Sequence, residues 1–553
     1  MSLFAPAMDS KRSIEVLGPM TTALAVVLLT SCGGGGGSSN SASAGSDPAA
    51  PPATQSLTAA QVDAVVHSAV QAVNVPVVVG VTDRLGNILA VFNTNNAPAT
   101  GVGNFGTSEN AQNLAVALAR TAAFFSNDQA PLSSRTVRYI SGIHFPPGVN
   151  GAPNAPLYGI ENSNRGCSFH TTFLPGQAIP PATLINGSSP GLGIITGKAN
   201  VYDSDPVAVN PGGVPLFEDN TLVGGVGVVE SNSDPASAGS IAEYAAYVAA
   251  TTAPFGPNPA PPGVVVINGI AVPFVDQTTA PSGISAADFN GSYVVGPSAS
   301  PGAPPEGYLV GPMASAYSGG LSSSDVASIV SSAIATANQT RAVIRLPIGS
   351  RAKMMIAVSD LDGNLLALYR MPDATIFSID VAVAKSRNVI YFSNAGLLPG
   401  AYAASQPGAI DLPGIPQGTA VTNRTIGFGA QPEFPPGIDG SGDGPFFNLY
   451  LNDTANACTQ GSQPMNKNQN GIVFFPGSLP LYRNGVLVGG LGVSGDGVDQ
   501  DDFVTAAGAA LMTVTDPSDS GHGFEAPTAI RADQVVIDNI RMPYLKFPRN
   551  PTQ

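Results

Sequence analysis

The chain has no tryptophan, three cysteines and four histidines in 553 residues, and charged residues make up only 11% of it. Each shortage excludes something. With 22 Lys and Arg against 37 Asp and Glu, and a net charge of −15 at pH 7, no basic stripe exists to neutralise phosphates. Nucleic acid is therefore excluded as a partner. The few His and Cys residues show no zinc-finger spacing, which excludes a sequence-legible structural zinc module. What is plentiful is glycine, at 64, and proline, at 50, as in loop-rich chains containing β-structure rather than helical bundles. The length is enough for two cores of ordinary size.

The N-terminus reads as an address. Lys11 and Arg12 precede the apolar run MTTALAVVLLTSC, too short to span a bilayer and ending in small residues, as a secretory signal does. Leu29-Thr30-Ser31-Cys32 resembles the lipobox of bacterial lipoproteins, in which the cysteine is lipidated; the alternative is an ordinary signal peptide with a chance Cys32. The resemblance implies an extracytoplasmic protein held to a membrane by its N-terminal lipid. Because Gly33 follows Cys32, the implied destination is the outer membrane or cell surface. Residues 1–32 would be the signal and 33–56, rich in Gly, Ser and Ala, a flexible tether.

From Leu57 onward the chain says most things twice. LTAAQVDAVVHSAVQAV, from Leu57, matches LSSSDVASIVSSAIATA, from Leu321, and both place Val, Ile and Ala on one helical face. Thr58 with Gln61, and Ser322 with Asp325, have capping-box spacing. VVVGVTDRLGNILAVF and MMIAVSDLDGNLLALY read as hairpins with a Gly-Asn turn. Helices ending in Asn127 and Asn394 follow, with Arg120 and Arg387 in matching places. SRTVR and FPPGVNG then match NRTIG and FPPGIDG. PLFEDNTLVGGVGVVESN and PLYRNGVLVGGLGVSGDG form a second hairpin pair, turning at Asp219-Asn220 and Asn484-Gly485. A last helix and a C-terminal strand complete each unit, giving units at 57–275 and 321–546. A Pro/Gly-rich linker spans 276–320, and 547–553 is a tail.

The capped helix, the D-x-x-G-N turn, the A-K-S-R helix and the PLYRNGVLVGGLGVSG stretch ending in Gln500-Asp501 resemble the haem-binding GlcG/HbpS-like family, whose domain also ends PduO-type proteins. The second unit carries the motifs best; the first loses both the Ser-Gly and the Gln-Asp. Roughly 60 residues before each second hairpin, with FPPG and the cysteines, lie outside the resemblance. The resemblance implies an α+β fold of two tandem units, each a mainly antiparallel sheet with packed helices, related by a pseudo-twofold. One chain would thus supply the dimer that short relatives build from two, with further homo-oligomerisation left open.

Haem needs an axial donor. His67 is the first candidate, because some family members use a histidine from that helix; the alternative is an exposed helix residue. His144, matched by Glu433, and His170 read as loop residues. Arg120 and Arg387 are candidates for a haem propionate or small carboxylate, or else for salt bridges at a helix edge. Cys167 and Cys458 occupy matching places and would either form a bridge across the twofold or be two separately buried thiols. The glycines of GLGVSG serve strand packing, not a dinucleotide, and Asp501 reads as a helix N-cap. Three functions remain open: a lipid-anchored, non-catalytic haem-binding or haem-sensing protein; a structural or interaction protein that kept the fold without the ligand; or a protein that binds or processes a small organic acid.

Overall fold

Helix α1 (Ala59–Gln71) starts where Thr58 accepts the Gln61 amide and the Gln61 side chain returns to the Thr58 amide; α5 (Ser323–Ala337) starts the same way at Ser322 and Asp325. Each satisfies N-terminal donors that would otherwise be orphaned. The computed structural model describes residues 56–552 except 168, 170–173, 175–183, 189–192, 208, 209, 231–234, 257–263, 404–410, 462, 464 and 513–522. Cys32 and His170 lie outside the described residues.

The fold is α+β. In the first half, β1 (Val77–Asp83) and β2 (Ile88–Asn93) precede a small ribbon, β3 (Thr100–Val102) and β4 (Ser108–Asn110). Then come α2 (Ala111–Phe125), α3 (Ser134–Tyr139), β5 (Gly213–Glu218), β6 (Thr221–Glu230), α4 (Pro235–Thr251) and β7 (Phe255–Gly256). A short hairpin, β8 (Val266–Ile267) and β9 (Ile270–Ala271), closes the half, where the sequence reading placed a single strand. The turn residues Asn268 and Gly269 have positive φ, so the chain reverses there instead of continuing extended. Strands β10 (Ser292–Val295) and β11 (Gly307–Val310) follow.

The second half repeats the plan. After α5 come β12 (Met354–Ser359), β13 (Leu365–Arg370), α6 (Ser378–Phe392), α7 (Asn423–Gly429), α8 (Phe447–Ala455), β14 (Ser478–Arg483), β15 (Val486–Gly495) and α9 (Val498–Ala510). The hairpin β16 (Val536–Ile537) and β17 (Ile540–Arg541) ends it. The sheets run β10-β2-β1-β6-β5-β7 and β11-β13-β12-β15-β14, antiparallel throughout.

The segment read as a linker is therefore not only a linker. It gives β10 to one sheet and β11 to the other, capping an edge of each that would otherwise present unpaired main-chain groups.

The repeated glycines set the distance between helix and sheet. A Cβ on Gly225 or Gly227 would lie 2.2 or 2.0 Å from the carbonyl oxygens of Ala119 and Ala115 on α2. On Gly490 or Gly492 it would lie 2.2 or 2.1 Å from those of Ser386 and Ala382 on α6. The glycines thus admit a helix backbone onto the sheet, a closer approach than the strand-to-strand packing expected for them. All fifteen residues of α6 are buried, charged ones included.

The halves meet through residues at matching sequence positions within one compact unit. Cys167 and Cys458 form a disulfide with Cα atoms 5.3 Å apart. The rings of Tyr158 and Tyr450 stack at 5.1 Å, and Asn162 donates to Asp453 Oδ2 at 3.0 Å. The segments outside the family resemblance thus build the seam. Phe125 at the end of α2 stacks on Phe377 before α6 at 4.2 Å.

Burial outweighs the nearby arginines at two seam carboxylates and makes them pH-sensitive. It pushes Asp453 up to about 7, against donors from Asn162 and the Ile472 amide, and Asp380 up to about 6, against the Asn164 amide and Asn470. A folded-state pKa above the unfolded value means the native state holds the proton longer, so stability falls as pH rises from about 4 to 7. Asp453 alone is expected to cost about 2–3 kcal/mol between pH 5 and pH 7. Urea midpoints across that range should show the decline, and Asp453→Asn should flatten it.

Candidate functional site

A cavity of about 830 Å³ opens where the seam meets the C-terminal end of β15 and the start of α9. Phe125, Phe377, Phe428, Phe474, Phe475 and Tyr158 supply aromatic wall, and both halves contribute. The polar side is the stretch from Ser494 to Asp501, the part of the second hairpin that the first half lost. Its size, its aromatic patches and its lining cations, among them Arg341, Lys546 and Arg549, suit a flat organic ligand carrying anionic groups.

Charge inside this wall is paired. Lys385, on buried α6, donates to Asp501 Oδ2 at 3.0 Å and to the Val493 carbonyl at 2.8 Å, with its ammonium 5.0 Å from the Phe475 ring centre. Burial pushes the Asp501 carboxyl up to about 7 despite Lys385, and burial pulls Lys385 down despite Asp501. The other Asp501 oxygen, Oδ1, is buried without a hydrogen-bond partner. Arg424 bonds Asp502 and Asp499, and Lys546 reaches Asp499 at 2.8 Å. Burial works against the Arg345 cation, but Asp496 and Asp373 outweigh it and hold it above its ordinary value.

Asp501 is not the N-cap it was read as. The helix begins at Val498 with Gly497 as its cap residue, and the Asp501 side chain turns inward to Lys385. Both were legible as a pair: where the second half has Lys385 and Asp501, the first has Leu118 and Ala236. Losing cation and carboxylate together is what an interacting pair does.

The residues singled out in the sequence fall elsewhere. His67 sits on α1 with its ring stacked 3.7 Å from that of Phe289, Nδ1 3.0 Å from the Asp63 carbonyl, and more than a third of the side chain exposed. It does not line the cavity. Arg120 and Arg387 are buried and send Nε to the carbonyls of Gly86 and Gly363, at 2.8 and 2.9 Å. Arg387 also donates to Asn470 and to the Phe169 carbonyl. These arginines lock the D-x-x-G-N turns from inside the fold, and neither lines the cavity, so the carboxylate-clamp reading is corrected.

Residues 321–510 match the model of the family described as haem degrading protein HbpS-like. The match covers about a third of the chain, all of it in the second half. The cavity's polar stretch, 494–501, lies inside the matched residues, while Phe125 and Tyr158 of the first half add aromatic wall. Two solved structures are also similar. One is a PduOC complex with haem, 20% identical, aligned over 35% of this chain and 95% of its own, with a TM-score of 0.21. The other is the Klebsiella pneumoniae protein ORFY of family DUF336, 17% identical over 34% and 89%, with a TM-score of 0.22. No curated protein matches the chain.

Proposed function

We propose that the protein binds haem in the cavity beside α9, as a non-catalytic haem-holding module. The observation that carries this is the coincidence of the HbpS-like stretch with an aromatic-walled cavity of tetrapyrrole size. Residues present fit the group in two of three respects. The phenylalanines offer flat apolar surface, and Lys546 and Arg549 at the exposed edge offer cations for propionates. Among the described residues no His, Met or Cys lines the cavity, and Tyr158 is the side chain there of axial-ligand type. Burial, with Glu161 nearby, raises the Tyr158 phenol well above its ordinary value, and the hydroxyl donates to the Ala430 carbonyl, so it is held neutral. Haem is therefore held by its faces and carboxylates, without imidazole from His67.

Haemin titration of the full chain, followed by Soret absorbance, tests the site. The double reversal Lys546→Glu with Arg549→Glu is expected to weaken binding about tenfold or more, because two charge-assisted contacts become repulsive. Both side chains are exposed, so folding should survive. Unchanged affinity would remove haem from this cavity.

The lipid anchor belongs to the same reading: Cys32 would tether the domain to an extracytoplasmic membrane, supported by the lipobox-like Leu29-Thr30-Ser31-Cys32. Among the described residues no helix is long and apolar enough to cross a membrane. Cys32→Ala should move the protein from the membrane fraction to the soluble one, and persistence in the membrane would refute the anchor.

A further inference from the structure

The two FPPG loops meet on the seam and bring together three metal-ligand side chains that are remote in sequence and do not line the cavity. His144, read as a loop residue, is in fact buried. Its Nε2 lies 2.9 Å from Asp439 Oδ1 and 3.5 Å from Glu433 Oε2. His144 and Glu433 each precede the phenylalanine of their own FPPG, so matching positions of the two halves face each other.

Every member is held from behind. Asp439 Oδ2 accepts the Gly151 amide at 2.8 Å, and Glu433 Oε1 accepts the Gly440 amide at 3.0 Å. Each carboxylate thus spends one oxygen on main chain and turns the other to the imidazole. His144 Nδ1 is 2.7 Å from Ser204 Oγ, which also accepts the Gly148 amide at 2.9 Å. Ser204 fixes the ring's orientation, and when Nδ1 donates to its hydroxyl Nε2 is free to ligate a metal. Two carboxylates converging on one nitrogen compete for a single proton, whereas a dication between the three satisfies all of them.

We propose that His144, Glu433 and Asp439 bind one divalent transition metal, with zinc the best match, clipping the two halves together. Tetrahedral zinc with bonds near 2.0–2.2 Å sets its ligand atoms about 3.3–3.5 Å apart, and the three atoms here all lie within 4.8 Å of one another. Three protein ligands leave a fourth position open to water. None of the three lines the haem cavity, so the two proposals stand or fall separately.

The test is zinc titration by calorimetry of the untagged full chain after chelator treatment. One zinc per chain is expected, with His144→Ala weakening it at least 100-fold and Asp439→Asn at least tenfold. Asp439→Asn can keep its bond to the Gly151 amide and serves if His144→Ala fails to fold. Zinc should also raise the melting temperature of the wild type and not of Asp439→Asn. His67→Ala should change nothing. No zinc binding by the wild type, or binding that His67→Ala removes and Asp439→Asn does not, would overturn the proposal and leave His144 as a plain ion-pair partner.

Discussion

Gly492→Ala should unfold the second half or leave it insoluble, a loss of at least about 4 kcal/mol. The added carbon would sit 2.1 Å from the Ala382 carbonyl oxygen and 2.6 Å from the Ser386 nitrogen. Both are backbone atoms of α6, so no flexible side chain can yield. The helix itself would have to lift from β15, and with it Lys385, Arg387 and the cavity wall. Gly442→Ala is the control: a Cβ there meets nothing within 4 Å, and its effect should be a few tenths of a kcal/mol. Thermal unfolding of the two variants side by side checks this; a native-like melting temperature for Gly492→Ala would refute the close-approach account.

The second large effect is expected at Asp373. Its carboxylate accepts from Arg84 of the first half and from Arg345 of the second, and takes the Asp128 amide at 3.2 Å. Burial alone would raise its pKa, but the two guanidinium groups outweigh burial and depress it. Asp373→Ala takes one carboxylate from each of two largely buried cations on the seam, leaving Arg84 with Asp128 and Arg345 with Asp496, so the loss should fall toward the lower end of the roughly 3–5 kcal/mol that breaking a buried pair costs. Because the folded pKa lies below the unfolded one, the stabilisation is present above about pH 4 and is lost as pH falls through the folded value. Denaturant unfolding at neutral pH should therefore separate Asp373→Ala strongly from wild type, and the gap should narrow in acid. A loss under about 1 kcal/mol at pH 7 would mean the arginines find other partners.

Elements whose signal is local were legible in the chain. Capping boxes, alternating strands and the turns at Asp219-Asn220 and Asn484-Gly485, where both residues take positive φ, need only a few neighbouring residues to declare themselves. The linker strands β10 and β11 were hidden because their reason to be extended lies in the sheet edges they join, not in their own composition. The site was hidden for the same reason. His144 and Asp439 are 295 residues apart and no spacing rule reaches that far, while Lys385 and Asp501, 116 apart, show in the sequence only through their joint absence from the first half. His67 and the two arginines drew attention by residue type, whereas the fold spends the arginines on turns and stacks the histidine on Phe289 outside the cavity.

The central claim is that haem binds through the cavity and not through α1. It is tested most directly by Soret titration of wild type against His67→Ala. The account predicts saturable binding of one haem per chain with equal affinity in both proteins. No binding by the wild type, or binding abolished in His67→Ala, would contradict it.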